Sequence, residues 1–158
     1  MTEERQALLE QLGFRFGISG PHAARTMMLD DLRLLLGHTP PQATRADYTS
    51  AVVDANVLGK PTRKARELAL RHMATLYALD PANPIFRALR RLWPTDEAVQ
   101  PLLALAVALA RDPLLRGTPH FILGQAAGAA VQREAMEALL SATYPDRFSP
   151  ASLKSFAQ

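Results

Sequence analysis

The chain of 158 residues contains no cysteine. That excludes a disulfide framework and any thiolate metal or redox site, and it fits a reducing compartment. Long hydrophobic runs are missing as well. The longest, Leu102 to Ala110, is nine residues, about half of the ~20 that a membrane-spanning helix needs, so a buried core helix is expected there and no membrane partner. The first residues, Met1-Thr2-Glu3-Glu4-Arg5, are polar and acidic and lead into no apolar segment, so no signal peptide is expected. Alternation of apolar and polar residues nowhere lasts long enough for a strand.

Catalytic constellations are equally scarce. His22, His38, His72 and His120 stand far apart, with no i,i+4 or HxH pair; a metal site would have to borrow aspartates from distant helices. In Gly17-Ile18-Ser19-Gly20 the second glycine falls one residue early for a nucleophile elbow, Pro21 follows and no strand precedes, so a helix cap at Ser19 is the better reading. Gly124-Gln125-Ala126-Ala127-Gly128 lacks the strand and lysine of a phosphate-binding loop, and its small residues suit close helix packing. Asp30 and Asp31 are adjacent helix positions pointing about 100° apart, and Asp112 has no neighbouring acid. No enzyme, no cofactor and no metal is expected.

What the chain does have is helix signals. Most of its 12 prolines sit at or beside a helix start, where the missing amide costs little. A first helix runs from Thr2 to Leu12 and ends at Gly13. A longer one opens at Ser19-Gly20-Pro21, carries Ala24, Met27, Met28, Leu32, Leu35 and Leu36 on its apolar side, and stops at Gly37. A third spans Thr44 to Leu58, with Thr44 as cap. The fourth starts after Thr62, with Ala65, Leu68, Ala69, Met73, Leu76 and Tyr77 as one stripe. Asn83-Pro84 opens a short helix to Trp93, and Pro94-Thr95 caps the next, from Asp96 to Ala110. Short helices begin at Asp112-Pro113 and Thr118-Pro119, a long one covers Ala126 to Ala142, and Ser149-Pro150 starts the last. The expected fold is all-α, a compact multi-helix domain with an N-terminal helical subdomain over 1–80, holding a helix-turn-helix-like pair at 44–78, and a C-terminal subdomain over 81–158. The final helix breaks off without a stop signal. The chain is therefore expected to be a fragment of a longer protein, a docking tail being the alternative.

Positive charge is concentrated. Between Lys60 and Arg71 five basic residues face one acid, Glu67, a local +4 in a protein whose total is +3. A second cluster, Arg87, Arg90 and Arg91, shares one helix face opposite Phe86, Leu89 and Trp93. From Lys60 through Arg91 there are eight basic and two acidic residues, or +6, against ten and thirteen, or −3, elsewhere. Such asymmetry is the footprint of a polyanion surface. Two helices joined by about four residues that include Gly59 suit a helix-turn-helix, whose second helix offers its early residues to the DNA major groove. On that reading Arg63, Lys64, Arg66 and Arg71 meet phosphates or groove edges, Lys60 meets the backbone beside the turn, and Arg87, Arg90 and Arg91 extend the field. The competing reading is that these cations pair with acids such as Asp30, Asp31 or Asp54 and leave little net field.

Several stretches together resemble the BrxA family of BREX anti-phage defence systems. They are the Ser19-Gly20 helix start, Asn56-Val57-Leu58-Gly59-Lys60-Pro61-Thr62-Arg63, and the region from Leu76-Tyr77-Ala78-Leu79 to Phe86-Arg87-Ala88-Leu89. Leu102-Leu103-Ala104-Leu105 with Ala110-Arg111-Asp112-Pro113-Leu114-Leu115 follows, and then Phe148-Ser149-Pro150-Ala151-Ser152-Leu153 through Phe156-Ala157-Gln158. The likeness is diffuse, covers most of the chain and rests on no single diagnostic motif. It implies a small cytoplasmic all-helical protein with a NusB-like fold, a non-enzymatic double-stranded DNA binder beside larger BREX proteins, and more chain after Gln158. It supplies no catalytic residues. The alternative from another class is a helical adaptor that docks a protein partner.

Overall fold

The computed structural model describes residues 2–17 and 27–157. The helix start expected at Ser19-Gly20-Pro21, with Ala24, lies outside these residues. Among the described residues every regular element is helical, so the fold is all-α. They form two compact units, one of residues 2–17 and 27–112 and one of residues 113–157.

In the first unit, most helices begin where a short polar side chain can take an orphan amide. Helix α1, Glu3–Leu12, is capped by Thr2, whose hydroxyl accepts from the Arg5 amide, and ends at Gly13 with φ 105°. A side chain at Gly13 would be strained by that angle and would also drive its Cβ to 2.3 Å from the Asn83 side chain. Helix α2, Leu29–His38, passes through Gly37 rather than stopping there. Its end comes at Thr39, whose hydroxyl donates to the Leu35 carbonyl at 2.8 Å. Helix α3, Arg45–Val53, opens with a reciprocal capping box: the Thr44 amide donates to Asp47 at 2.7 Å and the Asp47 amide to Thr44 Oγ1 at 3.3 Å.

The third helix was expected to reach Leu58, and it stops at Val53. Asn56 turns the chain with φ 53°, and its Oδ1 accepts from the Lys60 amide at 2.9 Å. That side-chain bond offers the backbone an alternative to the helix ladder. The link to the next helix is therefore residues 54–62, longer than the expected four, with Leu58 buried inside it. Helix α4, Arg63–Tyr77, starts on Thr62, which accepts from the Ala65 amide at 3.1 Å. It ends on Ala78 and Leu79, both at positive φ. Helix α5, Pro84–Leu92, is capped by Asn83. The stretch after Asp96 opens as a 3₁₀ turn, Glu97–Val99, before helix α6, Gln100–Arg111.

The core gathers the apolar sides of these helices: Leu32 and Leu35 of α2, Val52 of α3, Ala69, Met73 and Tyr77 of α4, Phe86 and Leu89 of α5, and Ala104 and Ala108 of α6 are all buried. Helix α4 packs on both α3 and α6, and α5 packs on α6 and α1. The division expected at residue 80 falls inside this unit, and the units part after Asp112 instead. The reason is long-range contact. The Phe86 ring meets Tyr48 of α3 edge-on at 5.4 Å, and Arg90 binds carbonyls at the end of α2.

The second unit contains short helices α7, Pro113–Arg116, and α8, Pro119–Leu123, then α9, Arg133–Thr143, and α10, Pro150–Phe156. Helix α9 begins later than the expected Ala126, at Arg133, which is paired with Glu134 and Glu137. Met136 and Leu140 are its buried positions. Phe148 bridges α9 and α10, lying edge-on to Tyr144 at 5.8 Å and to Phe156 at 5.0 Å.

Candidate nucleic-acid interface

The cations named from the sequence all lie in the first unit, but they do not form one set. Three are held by the fold. Lys60, in the link before α4, is half-buried, and its Nζ donates to Asp31 of α2 at 2.8 Å. Arg66 turns back from α4 to the carbonyl of Val53, 3.0 Å away, closing the C-terminal end of α3. Arg90 donates to the carbonyl of Leu36 at 2.7 Å and to that of Thr39, doing the same for α2.

Two more are exposed but occupied. Arg63 donates to Glu67 at 3.0 Å one turn along α4 and lies 3.9 Å from Asp54. Arg87 donates to the carbonyls of Pro81 and Ala82, at 3.2 and 3.0 Å. The remaining three, Lys64, Arg71 and Arg91, are exposed, and their side chains have no hydrogen bond or ion pair among the described residues. Pairing with acids thus accounts for part of the cluster. Asp31 takes Lys60 and Asp54 stands near Arg63, while Asp30 pairs with Arg33.

Helix α4 is where the exposed cations concentrate. Its apolar side is buried at Ala69, Met73, Leu76 and Tyr77, with Ala65 and Leu68 half-buried. Lys64 and Arg71 fall off that stripe, two helical turns apart and hence on one side. Lys64 stands in the first turn, where the amides and the helix dipole already favour negative charge.

Arg71 also lines a cavity of about 540 Å³ together with Arg15, Arg45 and Arg111. None of these three was singled out from the sequence. They come from the segment after α1, the start of α3 and the end of α6, and no local pattern connects them. Arg111 is half-buried. It donates to the Thr75 carbonyl at 2.9 Å and the Gly13 carbonyl at 2.8 Å. Burial, and then the neighbouring Arg15 charge, push its pKa down to about 10.

Among the described residues no group of three or more His, Asp or Glu is placed to hold a metal ion. No single helix among them is long and apolar enough to cross a membrane. Comparison of the chain with protein-family models, curated proteins and solved structures finds no match.

Proposed function

We propose that this chain is a non-enzymatic double-stranded DNA-binding protein that uses the outer side of α4 and serves as an accessory component of a BREX-type anti-phage defence system. The observation that carries the DNA reading is the pair Lys64 and Arg71, exposed, with side chains unpartnered among the described residues, on one side of a helix whose opposite side is buried. Such exposed side chains offer their charge to solvent, and releasing counterions from phosphates is the dominant sequence-independent source of DNA affinity. Arg63, Arg87 and Arg91 add exposed positive charge in the same unit. Their donors that are free of internal bonds can reach phosphate oxygens, a positioning role that carries no base information. The defence role and the larger BREX proteins as partners rest on the resemblance to the BrxA family.

The test is a gel-shift titration of a fluorescent duplex with the parent, Lys64→Glu and Arg133→Glu. Arg133 is engaged by two glutamates in the second unit and serves as the control. Lys64→Glu is expected to weaken binding by about tenfold or more, with Arg133→Glu close to the parent. Equal binding by all three proteins removes α4 from the interface, and no binding by the parent favours the adaptor reading instead.

A further inference from the structure

We propose that the cavity ringed by Arg15, Arg45, Arg71 and Arg111 is a binding site for a phosphate-bearing anion. Four separate elements bring these guanidinium groups to one concavity of about 540 Å³, a size in the range of small-ligand sites. Two acids, Glu67 and Asp80, share the lining, and both are already engaged. Glu67 accepts from Arg63 at 3.0 Å, and Asp80 Oδ1 accepts from the Ala82 amide at 2.8 Å. Four cations against two committed acids leave the lining at +2, which matches a phosphate dianion better than a single carboxylate.

Three of the arginines, Arg45, Arg71 and Arg111, have donors to spare. Arg45 and Arg71 are exposed at the rim, and their guanidinium groups have no partner among the described residues. Arg111 lies deeper, and among the described residues it binds the neutral carbonyls of Thr75 and Gly13. A guanidinium has five N–H donors in a planar fork that fits phosphate oxygens two at a time. Arg111 is thus a partly desolvated cation beside a second cation, with no ion pair to a carboxylate among the described residues. An anion seated between them would relieve that repulsion in a setting where water screens less than at the surface. Leu70, Ala74 and Leu79 supply an apolar part of the wall.

The phosphate could belong to a free small ligand or to a nucleic-acid backbone, and the experiment separates the two. Intact protein is titrated calorimetrically with inorganic pyrophosphate at ionic strength held constant with potassium chloride, using the parent, Arg45→Gln and Lys64→Glu. Arg45 serves because its side chain takes no part in the Thr44–Asp47 capping box, so its loss leaves the fold in place. Saturable binding of one pyrophosphate per chain is expected, weakened about tenfold or more by Arg45→Gln and unaltered by Lys64→Glu. A gel shift then asks whether pyrophosphate displaces a duplex. Displacement that disappears in Arg45→Gln assigns the cavity to a backbone phosphate, and saturable binding without displacement assigns it to a free ligand. Absence of saturable pyrophosphate binding, or equal binding by Arg45→Gln, overturns the proposal. That failure would leave the α4 reading standing, because its test is the gel shift of Lys64→Glu, and Lys64 does not line the cavity.

Discussion

Arg90 and Arg91 are neighbours in sequence with opposite fates. Arg91 stays in solvent, whereas Arg90 crosses to α2 and binds the carbonyls of Leu36 and Thr39. Those carbonyls belong to a helix end that lacks intrahelical partners. Arg90→Ala is therefore expected to cost about 1–3 kcal/mol, because two part-buried acceptors lose a charged donor. Arg91→Ala should stay within about 0.5 kcal/mol of the parent. Urea unfolding of both variants checks this, and equal stabilities would show that the Arg90 bonds contribute nothing net. Tyr77 supplies a second test at the level of a single group. Its hydroxyl donates to the Met27 carbonyl, and burial pushes its pKa well above the ordinary value of 10.0. An acid whose pKa is raised by folding contributes stability that is intact below the unfolded value and is lost as pH rises beyond it. Stability should fall above about pH 10, and more steeply in the parent than in Tyr77→Phe. Parallel denaturation curves between pH 9 and 11 for the two proteins would contradict the assignment.

At the scale of the element, α4 combines a structural side and a charged side that should respond independently to mutation. Reversal of Arg63 and Lys64 together to glutamate is expected to remove most duplex binding while leaving the melting temperature nearly unchanged. The opposing effects are of similar size. Acids in a first turn gain roughly 0.3–1 kcal/mol from the helix dipole. A glutamate at position 63 would lose the pairing with Glu67 and face both that residue and Asp54, at roughly a few tenths of a kcal/mol per contact. Undiminished DNA binding by the double variant, measured beside its thermal melt, would remove α4 from the interface. The elements themselves were largely legible from the sequence, for a physical reason. Thr2, Thr44, Thr62, Asn83 and Ser149 cap the helices that follow them by bonds three residues long, and such chemistry is visible in a short window. The ends of α2 and α3 were not legible, because Gly37 tolerates the helix interior and the Asn56 turn competes with the ladder only once the chain has folded. Most of the site was hidden for the same reason. Arg66 and Arg90 are consumed by carbonyls 13 and 54 residues away, and Arg15, Arg45, Arg71 and Arg111 meet only in three dimensions.

For the molecule as a whole, net charge is a poor guide to how many phosphates it can neutralise. The segment from Lys60 to Arg91 carries eight basic residues, and if all eight met phosphates, log K against log[salt] would slope near about −7 on duplex DNA. Three of them, Lys60, Arg66 and Arg90, are bound internally at 2.7–3.0 Å. Drawing any one out to a phosphate would uncover a half-buried carboxylate or a helix-end carbonyl, so the exchange gains little. The five left exposed in this segment, Arg63, Lys64, Arg71, Arg87 and Arg91, give a slope of about −4.5, to which a backbone phosphate in the arginine cavity would add about one. Lys64→Glu should lower the magnitude of that slope by about one. Lys60→Gln should leave the slope unchanged, although it strands Asp31 and reduces stability. Binding measured by fluorescence anisotropy from about 50 to 200 mM salt distinguishes the cases. A slope near −7 would mean that the internal cations are released on binding, and a flat response would mean that the positive surface meets a protein rather than DNA.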